Sequence, residues 1–203
     1  MKAVLKRTLD LILAFGAFAL LSPLLLAIAM LIKLDDGGPV LYRGVRVGRG
    51  GVPFRIRKFR TMVVNADRLG GPSTPDDDPR ITKVGRWLRR SKLDELPQLL
   101  NVINGEMSFV GPRPEVAQEV AQYSDEERAL LSVRPGITDW ASIRFRDEGA
   151  ILRGAPDPHE AYRQVIRPEK MRLALEYVRT ASLATDVRIL VATLRVVVGG
   201  GPR

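Results

Sequence analysis

The chain of 203 residues has no cysteine and one histidine, His159. The first absence removes disulfides, thiolate nucleophiles, zinc ribbons and iron–sulfur clusters together, and it fits a reducing compartment. The second excludes any site that needs two imidazoles and leaves a Ser–His–Asp arrangement a single base. Acids are also in deficit: 23 Asp+Glu stand against 32 Lys+Arg, a formal net charge of +9. That balance points to an anionic partner (nucleic acid, anionic lipid or a phosphate-bearing substrate) and does not choose among them. Hydrophobic residues at 45% and charged residues at 27% exclude a disordered chain. The length suits one domain, or one domain with an appendage, and a real core.

Charge is missing altogether from Leu11 to Ile32, 22 residues whose one polar side chain is Ser22. About 20 apolar residues suffice to cross a bilayer. A cleaved signal peptide fits poorly. Its apolar region normally runs about 7–15 residues, and Asp10 separates the basic residues Lys2, Lys6 and Arg7 from the run, although Ala27-Ile28-Ala29 has a small-x-small form. A spanning helix should carry its positive charge on one flank. Here both flanks are basic, with Lys33, Arg43, Arg46, Arg49, Arg55, Arg57, Lys58 and Arg60 on the far side. A re-entrant helix would keep both flanks on one side of the membrane, and Ser22-Pro23 offers a break near the middle of the run. Pro23 has no N–H and its ring crowds the carbonyl of Ala19, while the Ser22 hydroxyl can satisfy the freed carbonyl. Kinked spanning helices are also common, so pattern alone leaves spanning and re-entry open.

Gly37-Gly38-Pro39 ends the apolar helix. Val40–Val47 and Phe54–Met62 read as strands joined by a turn at Gly48-Arg49-Gly50-Gly51. Asn65–Pro79 reads as a loop, and its Asp76-Asp77-Asp78 triplet as a solvated turn rather than a cation site. Arg80 to Lys92 carries six basic residues and no acid; Arg80, Lys83, Arg86 and Arg89 would share a stripe on a helix. A helix is expected from Asp94 to about Asn104, stopped by Gly105. Ser124-x-x-Glu127 is a capping box for a short helix, and Asp157-Pro158 opens a long one to about Ala181. In Asp186–Val198 the residues Val187, Leu190, Val191, Leu194 and Val198 form an apolar stripe, expected in the core, with a membrane surface as the other option. His159 is expected to be structural or exposed.

With no Cys and one His, nucleophiles and bases must come from carboxylates. Asp94-Glu95 precedes Pro97, which is accepted only in a first helical turn, so both acids belong at a helix N-terminus. There the free N–H groups and the dipole keep a carboxylate ionised, fit to act as a nucleophile, and also favour phosphate. Arg89 and Arg90 lie just upstream, and Gly111-Pro112-Arg113-Pro114 places Arg113 on a stiff turn suited to bidentate phosphate contact. Together these suggest phosphoryl transfer. The plainer reading is that Asp94 caps the helix and Glu95 pairs with an arginine.

In order and spacing, the motifs resemble the bacterial sugar transferases, the monotopic phosphoglycosyl transferases. They are Lys6-Arg7-x-x-Asp10, Ser22-Pro23, Gly38-Pro39-Val40, Lys58-Phe59-Arg60-Thr61-Met62, Asp78-x-Arg80-Ile81-Thr82, Gly85-Arg86-x-Leu88-Arg89, Leu93-Asp94-Glu95-Leu96-Pro97-Gln98-Leu99, Asn101-Val102-x-x-Gly105-x-Met107-Ser108, Val110-Gly111-Pro112-Arg113-Pro114 and Arg134-Pro135-Gly136-Ile137-Thr138. The resemblance implies a ping-pong transfer of sugar-1-phosphate from a UDP-sugar donor to a polyprenol phosphate acceptor, with release of UMP. Asp94 would be the nucleophile that forms a covalent aspartyl intermediate, and Glu95 would bind and activate Mg²⁺. Arg89 and Arg113, with Lys58 and Arg60, would contact phosphate or substrate. Ser22-Pro23 would make the N-terminal helix re-entrant, and Lys6, Arg7 and Asp10 would anchor it near the lipid head groups.

The implied organisation is a re-entrant membrane helix over 1–36 and a cytoplasmic catalytic domain over 37–203 with C-terminal amphipathic helices, at the inner membrane. The fold is expected to be α+β, mainly helical, with a small antiparallel hairpin. The length suggests the catalytic core without the extra membrane helices of larger members. Membrane lipids are expected partners, nucleic acid is not, and a homodimer is compatible with this reading. One departure stands out: many members continue with Gly-Trp-Ala-Gln-Val-Asn-Gly where this chain has Asp139-Trp140-Ala141-Ser142-Ile143-Arg144-Phe145, which bears on sugar or nucleotide preference. The rival readings are direct transfer without an intermediate, and a non-catalytic basic protein that binds membrane surfaces or nucleic acid.

Overall fold

The structure is a computed structural model that describes residues 2–71 and 73–199. Its first element, helix α1 (Lys2–Asp36), is 35 residues long. At a rise of about 1.5 Å per residue this is about 50 Å of helix. The chain stays helical on both sides of Pro23. The Ser22 hydroxyl donates to the carbonyl of Ala19 at 2.8 Å, the carbonyl that the missing N–H of Pro23 would have served. Helix α1 is apolar and long enough to cross a membrane, and only 11% of its most apolar window is buried. Leu20 is 79% exposed and Leu26 70%.

Both ends of α1 dock on the same body. Near the start, the Lys6 ammonium bonds Asp186 at 2.5 Å, and Arg7 donates to the carbonyls of Val102 and Ile103 at 2.7 and 3.1 Å. Asp10 accepts from the Phe109 N–H at 3.3 Å, and Ala14 packs with Phe54, Ile56, Val102 and Met107. Towards the end, Ile28 and Ile32 pack on Phe59 and Leu88, and Asp36 pairs with Arg60.

The expected hairpin is present in two parts. Strands β1 (Leu41–Tyr42) and β2 (Val45–Val47) pair antiparallel with β4 (Lys58–Phe59) and β3 (Pro53–Arg55) respectively. Leu41 opposes Phe59 and Val45 opposes Arg55, so one register runs through the interruption. The buried Asn101 side chain occupies the break. Its oxygen accepts from the Arg57 N–H at 2.9 Å, and its amide donates to the carbonyl of Arg55 at 2.8 Å and to Glu106 at 2.7 Å. A side-chain amide thus replaces a rung of the ladder and pins the hairpin to the neighbouring helix.

Helix α2 (Lys83–Ser91) buries Gly85 and Leu88 against β4 and α1. A Cβ on Gly85 would lie 2.0 Å from the carbonyl oxygen of Thr61, so this approach requires glycine. The segment expected as one helix from Asp94 begins instead as a 3-10 turn over Leu93–Gln98 and becomes α3 at Leu99–Ile103. Pro97 has no N–H to return to Leu93, so the first turn tightens. Gly105, at φ +84°, ends it as expected.

A second pairing was not anticipated: β5 (Ser108–Val110) and β6 (Gly136–Thr138) are parallel. Three-residue strands this far apart in sequence carry no alternation that would betray them. Short helices α4 (Ala117–Val120), α5 (Trp140–Arg144) and α6 (Glu148–Ile151) follow. The Ser124–Glu127 capping box forms reciprocally, but it opens a 3-10 turn. Asp157 caps α7 (Pro158–Ala161), and the helical path continues to the end of α8 (Arg167–Thr180) through a π-turn at Tyr162–Ile166. Pro168 cannot bond back to Gln164, which accounts for the wider turn.

In α9 (Leu183–Gly199) the expected core stripe is largely outward: Val187 is 59% exposed and Leu194 62%, while Ile189 is the fully buried position. The side chain of Val198 lies outside the described residues. Asn101→Ala would strand the Arg57 N–H and the Arg55 carbonyl. It should destabilise the protein by about 2–6 kcal/mol, at about 1–3 kcal/mol for each of the two orphaned groups, measured as the unfolding free energy in detergent.

Candidate active site

Three chain segments converge on Glu95. Strand β4 presents Lys58, whose ammonium lies 2.6 Å from a Glu95 oxygen. The turn after β5 presents Arg113, whose guanidinium donates to Glu95 at 2.6 and 3.4 Å. The turn Leu93–Gln98 presents Glu95 and its neighbour Asp94 in its first turn. Backbone contacts hold Arg113 in place. Gly111 N–H donates to Thr138 and Gly136 N–H to Pro112. The two strands approach so closely there that a Cβ on Gly136 would lie 2.1 Å from the Gly111 nitrogen.

Lys92, just before the turn, adopts a left-handed conformation at φ +58°. For a side chain other than Gly or Asn this is a strained position, and it redirects the chain from α2 into the acidic turn.

The two acids differ. Burial alone would raise the Glu95 carboxyl, but the charges and hydrogen bonds of Arg113 and Lys58 overcome it and hold the group well below the usual carboxylate range. Burial lowers the Lys58 ammonium, helped by nearby Arg113 and opposed by Glu95 and Asp94. The charge of Glu95 raises Arg113 further above its ordinary range. Arg113 remains 39% exposed against 16% for Glu95 and Lys58, so water screens part of its attraction.

Asp94 is 9% exposed, and its Oδ1 has no hydrogen-bond partner among the described residues. Burial first, then the adjoining Glu95, push its carboxyl above the ordinary range, against Lys58, Lys92 and Arg89. One acid is therefore committed to two cations, and the other is left without a partner, poised and electrostatically costly.

A cavity of about 540 Å³ opens beside Glu95 and Arg113. Glu115, Asp139, Glu148 and Lys170 also line it, together with Leu13, Ala17 and Leu21 of α1 and Leu190 and Leu194 of α9. Asp94 lies between the lining residues Leu93 and Glu95 in sequence without itself lining the cavity. The sequence carried no signal for Lys170, which is buried because it pairs with Glu148 and lies 4.9 Å above the Tyr162 ring. Asp139, in the segment that departs from the common motif, caps α5 by accepting from the Ser142 N–H at 2.7 Å.

Among the other expected site residues, Arg89 acts on Asp94 through its charge while bonding the Thr74 carbonyl at 3.4 Å. Arg60 is not brought to this cluster. It bonds Asp36 and the carbonyls of Pro39 and Met62, where α1 meets the hairpin. Lys6, Arg7 and Asp10 grip the protein, as described above, and Ser22 and Pro23 sit in the bare middle of α1. In the acidic triplet, Asp76 pairs with Arg153 and Asp78 with Arg80. His159 contacts Ser73 at 3.2 Å, away from Glu95.

No cluster of three or more acidic or histidine side chains that could cage a metal occurs among the described residues. Mg²⁺ still fits this donor set, because it usually takes one or two carboxylates and completes its shell with substrate phosphates and water. Among the described residues, Asp94 Oδ1 is unpartnered and Glu95 Oε2 meets only Arg113, at 3.4 Å.

The model of one known family, described as bacterial sugar transferase, matches residues 1–200. The chain belongs to the bacterial sugar transferase family. It is 42% identical over 192 residues to the UDP-glucose:undecaprenyl-phosphate glucose-1-phosphate transferase of Caulobacter vibrioides, covering 93% of this chain and 68% of that protein. It is 38% identical over 205 residues to the UDP-N-acetylgalactosamine-undecaprenyl-phosphate N-acetylgalactosaminephosphotransferase of Aeromonas hydrophila, covering 98% of this chain but 44% of that one. It is 38% identical over 205 residues to the exopolysaccharide production protein ExoY of Sinorhizobium fredii, covering 93% and 83%. The chain thus spans under half of the Aeromonas protein and most of ExoY. The names of these sugar transferases carry different sugars, so membership alone selects none.

Because the folded protein holds Asp94 above its unfolded range, folding binds that proton more tightly, and ionisation at neutral pH works against the folded state. Asp94→Asn should therefore raise the unfolding midpoint at pH 7. The advantage should shrink as the pH falls and wild-type Asp94 takes up its proton. A lower midpoint for the variant at pH 7 would contradict the charge arrangement.

Proposed function

We propose that this protein transfers a sugar-1-phosphate from a UDP-sugar to a polyprenol phosphate at the cytoplasmic membrane, as a first membrane step of polysaccharide or glycoprotein assembly. The observation that carries this reading is the pairing of an unpartnered acid, Asp94, with a neighbour, Glu95, held by two cations beside a cavity lined by both charged and apolar side chains. Glu95 occupies the anion position that Lys58 and Arg113 create. A donor diphosphate is the natural replacement for it, since guanidinium and ammonium bind phosphate oxygens as they bind carboxylate.

In the first step an Asp94 oxygen bonds to the phosphorus attached to the sugar, and the bond from that phosphorus to the bridging oxygen breaks. UMP leaves with the electron pair. In the second step an oxygen of the polyprenol phosphate attacks the same phosphorus, and the Asp94 carboxylate departs. No oxidant or reductant is involved, and the acceptor phosphate is largely ionised near neutral pH, with a second pKa of about 6. A general base is then unnecessary, which favours the covalent route over direct transfer. Lys58 and Arg113 stabilise the charge on the transferring group. Glu95, with Asp94 Oδ1, would hold Mg²⁺. That ion, when bound, would offset the charge of the diphosphate facing an anionic nucleophile.

The apolar wall formed by α1 and α9 suits a prenyl chain entering from lipid. A re-entrant path for α1 is supported by its two docked ends. A helix crossing about 30 Å of hydrocarbon would put its ends on opposite faces, whereas Lys6, Arg7 and Asp10 at one end and Ile32 and Asp36 at the other touch one body.

UMP release should be measured with a panel of UDP-sugars, polyprenol phosphate and Mg²⁺ in nanodiscs. Release should need the metal and should vanish in Asp94→Asn. As the pH falls, the rate should drop on a limb set above the ordinary carboxylate range of about 4, because Asp94 must be ionised to attack. Silence across UDP and other nucleotide sugars, from folded and membrane-bound protein, would favour a non-catalytic basic protein of the membrane surface.

A further inference from the structure

The sequence placed Arg80, Lys83, Arg86 and Arg89 on one stripe. The structure divides them. Arg80 pairs with Asp78, and Arg89 turns toward Thr74. What α2 exposes is a different row: Lys83, Arg86, Trp87 and Arg90, at spacings of three and four, on the face opposite Gly85 and Leu88. Trp87 is 48% exposed. No hydrogen bond or ion pair engages the side chains of Lys83, Arg86 or Arg90 among the described residues.

Three unpartnered cations flank one outward indole, and no catalytic group lies on this face. Helix α2 also runs against the second half of α1. The Val84 N–H approaches Asp35 at 3.4 Å, and Leu88 packs on Ile28 and Ile32. The outer sides of that half, Leu24, Leu26, Met30, Leu31 and Leu34, are bare. Helix α2 and that bare half of α1 are thus packed together, and the exposed row lies on the side of α2 turned away from the Leu88 contact.

We propose that the Lys83–Arg86–Trp87–Arg90 face of α2 docks on anionic phospholipid head groups, with the Trp87 ring at the head-group level. This rests on α1 lying in the membrane. The chemistry is complementary. Lys and Arg meet lipid phosphates while their stems cover apolar surface, and indole favours the boundary between water and hydrocarbon. Each surface cation adds about fivefold to partitioning onto an anionic bilayer. The face would hold the adjoining Leu93–Gln98 turn, and so Asp94, at the level where an acceptor phosphate lies.

Trp87 and Trp140 are the 2 tryptophans, so Trp140→Phe leaves Trp87 as the sole emitter. The full chain would be placed in nanodiscs of phosphatidylcholine with brominated acyl chains, with and without phosphatidylglycerol. Trp87 emission should be blue-shifted and quenched, more strongly with the anionic lipid. Lys83→Gln/Arg86→Gln/Arg90→Gln should cut the quenching at least about twofold. A second reporter, Leu20→Trp with both native tryptophans changed to Phe, reads α1 independently.

Quenching at position 20 with none at Trp87 would overturn the α2 face and leave the membrane reading standing. No quenching at either position would overturn both. A Trp87 signal that ignored lipid but saturated with a single-stranded oligonucleotide would also overturn the proposal, in favour of a nucleic-acid face.

Discussion

The Glu95 carboxylate, held between Lys58 and Arg113, is the interaction on which the rest of the structure depends. It joins the end of a hairpin, the first turn of a short helix and the turn after a parallel strand. Each segment has backbone contacts of its own, and the bridge fixes the three relative to one another. The bridge is also what makes two half-buried cations tolerable, since removing one partner of a buried pair leaves the other uncompensated. Its chemical consequence is asymmetry. Two adjacent carboxylates become a neutralised acid and a bare one, and the bare one is Asp94. On the proposed mechanism the attacking acid is thus held at some expense in stability, as is common for catalytic groups.

Helix α1 is the second constraint. It is held at both ends and open in the middle. Its start is gripped by charged and backbone contacts, through Lys6, Arg7 and Asp10, and its end by apolar packing and the Asp36–Arg60 pair. The same helix and α9 supply apolar lining to the cavity that Glu95 and Arg113 also line. The long apolar helix and the candidate site therefore share one cavity, which suits the proposed reaction with one partner in water and one in lipid.

Much of this was legible from local chemistry. The Ser22 compensation for Pro23, the Ser124–Glu127 box, the Asp157 cap and the hairpin turn follow from which groups lack partners near them in sequence, and all four formed. The placement of Asp94 and Glu95 at a helix start followed from Pro97. Some departures were local, such as the 3-10 turn that Pro97 imposes and the π-turn before Pro168; the larger ones were of longer range. The β5–β6 pair depends on two glycines from distant segments meeting. The outward stripe of α9 and the outward row of α2 depend on which neighbour each helix finds. Arg60 lies two residues from Lys58 and sits in a similar basic context, yet Asp36, distant in sequence, claims it. The gap at the hairpin is filled by Asn101 from another element, which no periodicity announces.

The most direct test is to mix the protein with a turnover-competent UDP-sugar in the absence of acceptor, quench within a turnover, and weigh the intact chain and its peptides. A mass gain equal to one phosphosugar, located on the peptide bearing Asp94, absent in Asp94→Asn and discharged by polyprenol phosphate, is the expected result. Steady turnover with no adduct, or an adduct on Glu95 instead, would contradict the division of labour between the two acids.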